Sequence, residues 1–416
     1  MSGARGTATS PFRLTYVANV RLPTEQAHGF QIAKMCEALA ACGAQVALLH
    51  PRRRQADPAL ATASLADYYG VRPAFTVRAL PNVDVVPLSR VVPARAFVPI
   101  FFAHALAWGR LAAQRAARDR ADVYVTRDVP VAYWLVRLGR PTILEAHAVP
   151  RRAQRRLLAR IAGDPALRAT IALTSFIGRG LEAIGVPAAR VHVLPDGVDL
   201  GMFAGLPDRD ACRTRLGLPA GRPIVGYIGR FQALGTEKGI PELIAALAHV
   251  HGATAGAPLL LCVGGPMDAV PAYREIGRAT ALPAERLAFH DRVPNRDVPA
   301  WIRACDVVTI PSPATEFFSY FTSPMKLFEY MAAGAPIVAT DLPAIREVLR
   351  HDDNALLAAP GDPRAFADAL HVLLHDRTRA ARLATRARAD VERFTWQHRA
   401  AALLGVCGPP PAPESH

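Results

Sequence analysis

Two stretches of the chain carry residue types that together could hold a pyrophosphate. In the first, Gly226-Tyr-Ile-Gly229-Arg230 follows a run that reads as a buried strand, and Glu237-Lys238-Gly239 precedes a helical pattern opening on Pro241 and Glu242. Glycine lets the backbone approach an anion closely. The helix amino terminus offers unpaired amides, and Arg230 and Lys238 add charge. A departing nucleoside diphosphate gains negative charge in the transition state, and cations aimed at it stabilise departure without a metal. Neither stretch contains Asp-x-Asp, so no metal or cofactor is expected. The bland alternative is a surface turn with ordinary charges.

The second stretch runs from Ile310 to Ala339. Asp306-Val-Val-Thr-Ile310 reads as a short buried strand, Pro311, Ser312 and Pro313 break it, and a loop follows. Ser323 and Pro324 read as the N-cap and first residue of a helix. That helix reaches Ala333, and Gly334 ends it. Pro336-Ile-Val-Ala339 is the next buried strand. A helix amino terminus at the carboxyl end of a parallel strand is a ligand position, and the amides of Ser323 to Met325 suit phosphate. Lys326 and Glu329 lie three residues apart on neighbouring faces of the helix.

Positioning these groups takes alternating strands and helices. Phe12–Ala18 reads as a strand, Leu22–Phe30 as a loop holding Glu25, Gln26, His28 and Gly29, Gln31–Cys42 as a helix, and Gln45–Leu49 as the next strand. Such a unit is a right-handed crossover in a parallel sheet. Further strands are read at Val83–Val86, Val123–Thr126, Thr142–Glu145, Thr170–Thr174 and Val191–Leu194. A second series follows at Ile224–Ile228, Leu259–Val263, Leu287–Phe289, Val307–Ile310 and Ile337–Ala339. Its helices are read at Pro241–His251, Tyr273–Thr280, Asp297–Ala304 and Pro363–His375. The fold class is therefore α/β, with two Rossmann-like, doubly wound domains over 12–194 and 195–394 and a cleft between them. Arg377–Phe394 reads as a charged helix, and a final helix within 395–406 is expected to pack back on the first domain. Met1–Pro11 and residues 407–416 read as disordered.

The 416 residues suffice for two domains, and 51% hydrophobic content supplies their cores. No signal-peptide pattern opens the chain. The longest apolar run, Ala96 to Gly109, contains Pro99 and His104 and is too short to span a bilayer, so a cytoplasmic protein is expected. The six cysteines show neither metal-ligand spacing nor a disulfide framework and read as mostly buried free thiols. The formal charge is +14 and the isoelectric point about 10.1, which favours an anionic partner. Of 49 basic residues only Lys34, Lys238 and Lys326 are lysines, and two of the three fall inside the stretches above. Lys34 itself reads as a solvated or packing residue.

Gly229-Arg230…Lys238-Gly239, Leu194-Pro-Asp-Gly-Val-Asp199…Phe203, Phe328-Glu-Tyr-Met-Ala-Ala-Gly-Ala-Pro-Ile-Val338 and Asn354-Ala-Leu-Leu-Ala-Ala-Pro-Gly-Asp-Pro363 together resemble retaining nucleotide-sugar glycosyltransferases of family 4, with the GT-B fold. The resemblance covers nearly the whole chain and is strongest from Leu173 to Pro363. It implies that Gly229, Arg230 and Lys238 hold the donor diphosphate, with Ser323, Met325 and Lys326 beside it, and that Glu329 takes the ribose hydroxyls. The family's first Glu of a Glu-x7-Glu pair is replaced here by Phe321, and Glu316 is the candidate substitute near the donor sugar. His147, in Ile143-Leu-Glu145-Ala-His147, corresponds to a histidine that faces the donor sugar; otherwise it is a satisfied structural histidine. Glu25, His28 and Gly29 fall on the acceptor side. The implied reaction moves a sugar from a nucleoside diphosphate sugar to a glycan or lipid-linked acceptor. The leaving diphosphate oxygen takes the acceptor proton, so no carboxylate pair is needed.

Arg90–Arg120 combines Phe97, Val98, Ile100, Phe101 and Phe102 with arginines, and Arg151, Arg152, Arg155, Arg156 and Arg160 form a second cluster. Such stretches suit an anionic membrane surface; the alternative is a core helix with solvated arginines. Two rival functions remain: a nucleotide-sugar epimerase or hydrolase of similar fold, and a non-catalytic nucleic-acid binder. Charge alone suggests the last, and no recognised nucleic-acid motif supports it.

Overall fold

The computed structural model describes residues 12–55, 57–233, 236–250 and 256–407. Of the stretches Met1–Pro11 and 407–416, read from sequence as disordered, all but Cys407 lie outside the described residues; Cys407 is half-buried in a turn. The chain divides into two compact units. The first comprises the chain up to Ala172, Ile177–Leu194 and the chain from Trp396; the second comprises Leu173–Phe176 and Pro195–Thr395.

The first unit holds strands β1 (Arg13–Val17), β2 (Gln45–Pro51), β3 (Thr76–Leu80), β4 (Val123–Thr126), β5 (Thr142–Ala146), β6 (Leu167–Ala172) and β7 (Val191–Val193). They form one parallel sheet in the order β3-β2-β1-β4-β5-β6-β7. The inner strands are buried on both faces, as helix-covered parallel sheets require. Edge strand β3 is mostly exposed, and its Thr-Val-Arg-Ala-Leu run gives little apolar signal. Val83–Val86, read as a strand, is not one: a 3₁₀ turn starts at Val86, with Pro87 just inside it. Proline fixes φ and lacks the amide a ladder needs.

The second unit holds β8 (Ile224–Ile228), a hairpin of β9 (Gln232–Ala233) and β10 (Thr236–Glu237), then β11 (Leu259–Val263), β12 (Leu287–His290), β13 (Val307–Ile310), β14 (Ile337–Thr340) and β15 (Leu356–Ala358). Apart from the hairpin they form one sheet, ordered β12-β11-β8-β13-β14-β15, with parallel pairings. Alternate residues of β8 enter different cores. Ile224 and Ile228 pack with Leu261, Ile310 and Phe328, whereas Val225 and Tyr227 pack with Leu260, Leu243 and Leu370.

The helix beginning Trp396 packs in the first unit, against the helix Ala27–Ala41. The apolar run near Phe97 forms part of a 23-residue helix, Ala94–Ala116, with Pro99 inside it. Pro99, the sixth residue, removes a single amide near the start of the helix, which extends well beyond Ala96–Gly109. It is long and apolar enough to cross a membrane, against the sequence expectation. Four of the six cysteines are buried; Cys42 is exposed and Cys407 half-buried.

Candidate functional site

In the second sheet, the order reverses between β8 and β13. Open α/β sheets take ligands outside the carboxyl ends at such a switch point. Gly229-Arg230 leaves β8 there, and the loop 311–324 leaves β13 there. Gly239 joins them. Its φ is +92°, and a Cβ on it would meet the Pro311 carbonyl oxygen at 1.6 Å. Only glycine lets the helix Ile240–His249 begin this close to the β13 loop.

Three cations converge on this place. Lys326 Nζ lies 3.6 Å from the centroid of the Tyr227 ring, a cation–π contact. A Cβ at Gly229 would lie only 3.1 Å from the same Nζ. Burial pushes Lys238 down to about 8 and Arg230 pushes it the same way. Burial likewise holds Lys326 well below the usual lysine range, with Lys238 as the next cause. No carboxylate offsets the shift of Lys238, and Arg230 Nε is buried without a partner among the described residues. Cations crowded in this way, with only Glu329 beside Lys326 to offset them, cost free energy until an anion joins them.

Glu329 sits in the helix Met325–Ala332, where burial raises its carboxyl to about 7 and Lys326 opposes the rise. It is thus not an exposed partner of Lys326. Tyr330, passed over in the sequence, clips this helix to β8: its hydroxyl accepts from Ile228 N at 2.8 Å and donates to Ile228 O at 3.1 Å. Ser323 is not the N-cap; Pro324 holds that place, and the Ser323 hydroxyl accepts from Asp196 N at 2.9 Å. Met325 is the first residue of the helix, and Glu316 stands exposed before a π-helical turn, Phe317–Phe321. Thr174 donates to Tyr320 O at 2.7 Å and the Phe176 and Tyr320 rings lie 5.0 Å apart, anchoring that turn. Glu237 is committed to structure, accepting from Tyr273 Oη at 2.7 Å and from Gln232.

Among the described residues no group of three or more His, Cys, Asp or Glu could hold a metal. One Asp-x-Asp does occur, Asp208-Arg-Asp210, away from the stretches above. The Asp208 carboxylate caps a helix, accepting from Ala211 N at 2.8 Å.

The first sheet has its own switch point, between β1 and β4. Asn19, past β1, donates to Asp128 Oδ2 at 3.1 Å, and Arg53, past β2, donates to Asn19 Oδ1 at 2.8 Å. Arg21 pairs with Glu25 at 3.0 Å, and Arg127 donates to Gln31. Arg21 Nε and Arg53 Nε are buried without partners among the described residues. Burial lowers His28 to about 4, with Arg127 next and Glu25 opposing. Glu25, His28 and three arginines thus share one edge. His28 and Gly29 lie in the first turn of the helix Ala27–Ala41 rather than in a loop. Gly29 is there for room: a Cβ would lie 2.0 Å from Tyr69 Oη, which donates to Thr24 O at 2.8 Å. Lys34 is buried, 3.0 Å from Glu37.

His147 Nε2 lies 2.5 Å from Glu145 Oε1, which also accepts from Gln31 Nε2 at 2.9 Å. Glu145 Oε2 accepts from Arg399 at 3.3 Å, and both charged side chains are almost fully buried. Burial alone would raise the Glu145 carboxyl, but Arg399, then His147 and Arg127, hold it well below the usual carboxylate range. Burial pushes His147 down to about 3, Arg127 adds to the fall, and Glu145 opposes it. A neutral ring beside a carboxylate must donate from Nε2, so Nδ1 is an acceptor. Arg399 had no signal in the sequence.

Residues 222–376 match the family model described as glycosyl transferases group 1, and residues 29–201 match that of glycosyltransferase family 4. The D-inositol 3-phosphate glycosyltransferase of Xylanimonas cellulosilytica is 38% identical over 230 residues, 53% of this chain and 52% of the relative. That of Nocardia farcinica is 33% identical over 229 residues, 54% of this chain and 48% of the relative. The chain thus spans about half the length of the curated relatives it matches. Among solved structures, Anabaena HepE in complex with UDP and glucose aligns with a TM-score of 0.68 at 20% identity, over 95% of this chain and 98% of that one. The sucrose-phosphate synthase of Thermosynechococcus elongatus aligns with a TM-score of 0.70 at 19% identity, over 95% and 98%. The two Rossmann-like units are those of the GT-B fold.

Proposed function

We propose that the chain is a glycosyltransferase that moves a sugar, with retention, from a nucleoside diphosphate sugar to an acceptor hydroxyl on a molecule bearing an anionic group. One observation carries the reading: Arg230, Lys238 and Lys326 crowd the switch point of the second sheet with too little negative charge to match them. A diphosphate supplies the missing charge. The sugar–diphosphate bond breaks, the acceptor oxygen bonds the anomeric carbon, and the acceptor proton passes to the leaving diphosphate oxygen. The cations hold the charge that develops there. Glu329 accepts from the ribose hydroxyls, and amides from Ser323 to Met325 face the diphosphate. His147 accepts a sugar hydroxyl at Nδ1, and Glu316 is the candidate for a second sugar contact. UDP-glucose is the first donor to test, because structural neighbours were solved with UDP and glucose.

The acceptor's anion is assigned to Arg21, Arg53 and Arg127, beside Glu25 and His28. The relatives' printed name, an inositol phosphate glycosyltransferase, is consistent with it. A small phosphorylated polyol and a lipid-linked phosphate or glycan share this chemistry. Offering each with a panel of sugar nucleotides should give an α-linked product from an α-linked donor, read by NMR. Inverted product, or sugar released equally fast without acceptor, contradicts the proposal; the second outcome marks a hydrolase.

A pH effect follows from Lys238. Its free-state value is about 8, held down by burial and then by Arg230. A bound diphosphate favours the ammonium and raises that value, so above pH 8 binding takes up a proton. UDP affinity is expected to fall as pH rises past 8, by calorimetric titration, and Lys238→Arg should remove most of that fall.

A further inference from the structure

Among the described residues, exposed large apolar side chains gather in one part of the first unit. Val86, Leu88, Val91, Val98, Ile100 and Phe101 all stand out, Val91 at 78% and Val98 at 53% exposure. They belong to the 3₁₀ turn Val86–Arg90, to Val91 directly after it, and to the first half of the helix Ala94–Ala116. The second half of that helix is different. Trp108, Ala112, Ala113 and Ala116 are buried in a core with Val17, Tyr124 and Leu135. The most apolar window has a mean hydropathy of 1.4, yet only 28% of it is buried. A core helix does not leave its apolar residues outside, and a patch of this kind marks an interaction surface.

Charge says what covers it. From Val85 through Arg118 the sequence has no Asp or Glu, while Arg95, Arg110, Arg115 and Arg118 carry positive charge. The helix Val129–Arg137 packs against both this helix and Arg152–Ile161, whose exposed arginines include Arg155, Arg156 and Arg160. A second copy would bring two arginine-rich faces together. An anionic lipid surface meets both the charge and the apolar side chains.

We propose that the segment Val86–His104 is a membrane-docking element that lies in one leaflet of an anionic bilayer. It does not span. The free part, Ala94–His104, is about 16 Å of helix, half of the roughly 30 Å hydrocarbon thickness, and its continuation is locked in the core. Nor does it enter tip first, because that would carry Arg95 into hydrocarbon. It lies along the interface, with Val98 and Phe101, three residues apart on one face of the helix, toward the acyl chains and the arginines at headgroup level. The inference is independent of the sugar-transfer reading.

The test is co-flotation of the full chain with vesicles of phosphatidylcholine alone or with added phosphatidylglycerol. Wild type should float with the anionic vesicles, less so as salt rises, and little with the neutral ones. The double variant Val98→Asp/Phe101→Asp should lose about tenfold or more of that binding. Its melting temperature should hold, since both residues are exposed. Phe101→Trp should blue-shift in fluorescence on binding. No binding to either vesicle, equal binding to both, or an unaltered double variant would overturn the proposal. So would a dimer of wild type that the double variant abolishes, because a second copy would then cover the face.

Discussion

Arg230→Ala and Lys238→Ala are each expected to lower sugar transfer by about 10²–10³-fold, the loss found when one preorganised donor to a developing anion is removed. The fold should not suffer. Arg230 Nε has no partner among the described residues, and Arg230 disfavours the charge of Lys238. Removing one relieves a repulsion rather than breaking a pair, so the melting temperature should hold or rise. Steady-state kinetics and thermal unfolding on the same preparations separate the two effects. Wild-type turnover in either variant, or equal loss of turnover and stability, would count against the assignment.

Arg399→Ala is expected to have the largest effect on stability. Glu145 and Arg399 are almost wholly buried, and Arg399 is the main cause that keeps the carboxylate ionised there. Removing one partner of a buried pair leaves an uncompensated charge and costs about 3–5 kcal/mol. For a unit of this size that is a fall in melting temperature on the order of 10 °C. Replacing both partners, as Glu145→Leu with Arg399→Met, should recover much of the loss, because apolar side chains of similar volume can substitute for a buried pair. His147 loses its carboxylate in that variant, so activity should stay low while stability returns. A single variant as stable as wild type would show that Arg399 does not carry the charge of Glu145.

Much of the architecture is legible in sequence because doubly wound sheets announce themselves. β8, β11 and β13 are short apolar runs bounded mostly by glycine and proline, and each is legible at the span it occupies. Gly334 was read as ending a helix, and its φ of +62° shows why glycine stands there. Edge strands are harder: β3 is broken by Arg78 and β15 is only three residues long, while Val83–Val86, valine-rich around Asp84, is no strand. Caps also mislead, since Ser323 has the right residue type one place early and spends its hydroxyl on Asp196 instead.

In the candidate site, the cations after β8 were visible because glycine, charge and a helix start stand within a dozen residues. Lys326 stands out in the sequence as one of three lysines and as a neighbour of Glu329. That it sits over Tyr227 and crowds Gly229 depends on the β8–β13 pairing, which no local pattern encodes. Arg399 is further from legibility. It reaches Glu145 across 254 positions, from a helix whose sequence reads as ordinary. The arginines at the first switch point come from three separate strand ends, and only the sheet order brings them together.

The central claim is that the cations at the β8–β13 switch point hold a diphosphate. Calorimetric titration with UDP and with uridine, on wild type and on Arg230→Ala, tests it most directly. The account predicts that UDP binds wild type at least about 100-fold more tightly than uridine does, a difference of about 2.7 kcal/mol, and that Arg230→Ala removes most of that difference. Equal affinity for UDP and uridine, or a difference that survives in Arg230→Ala, would contradict it.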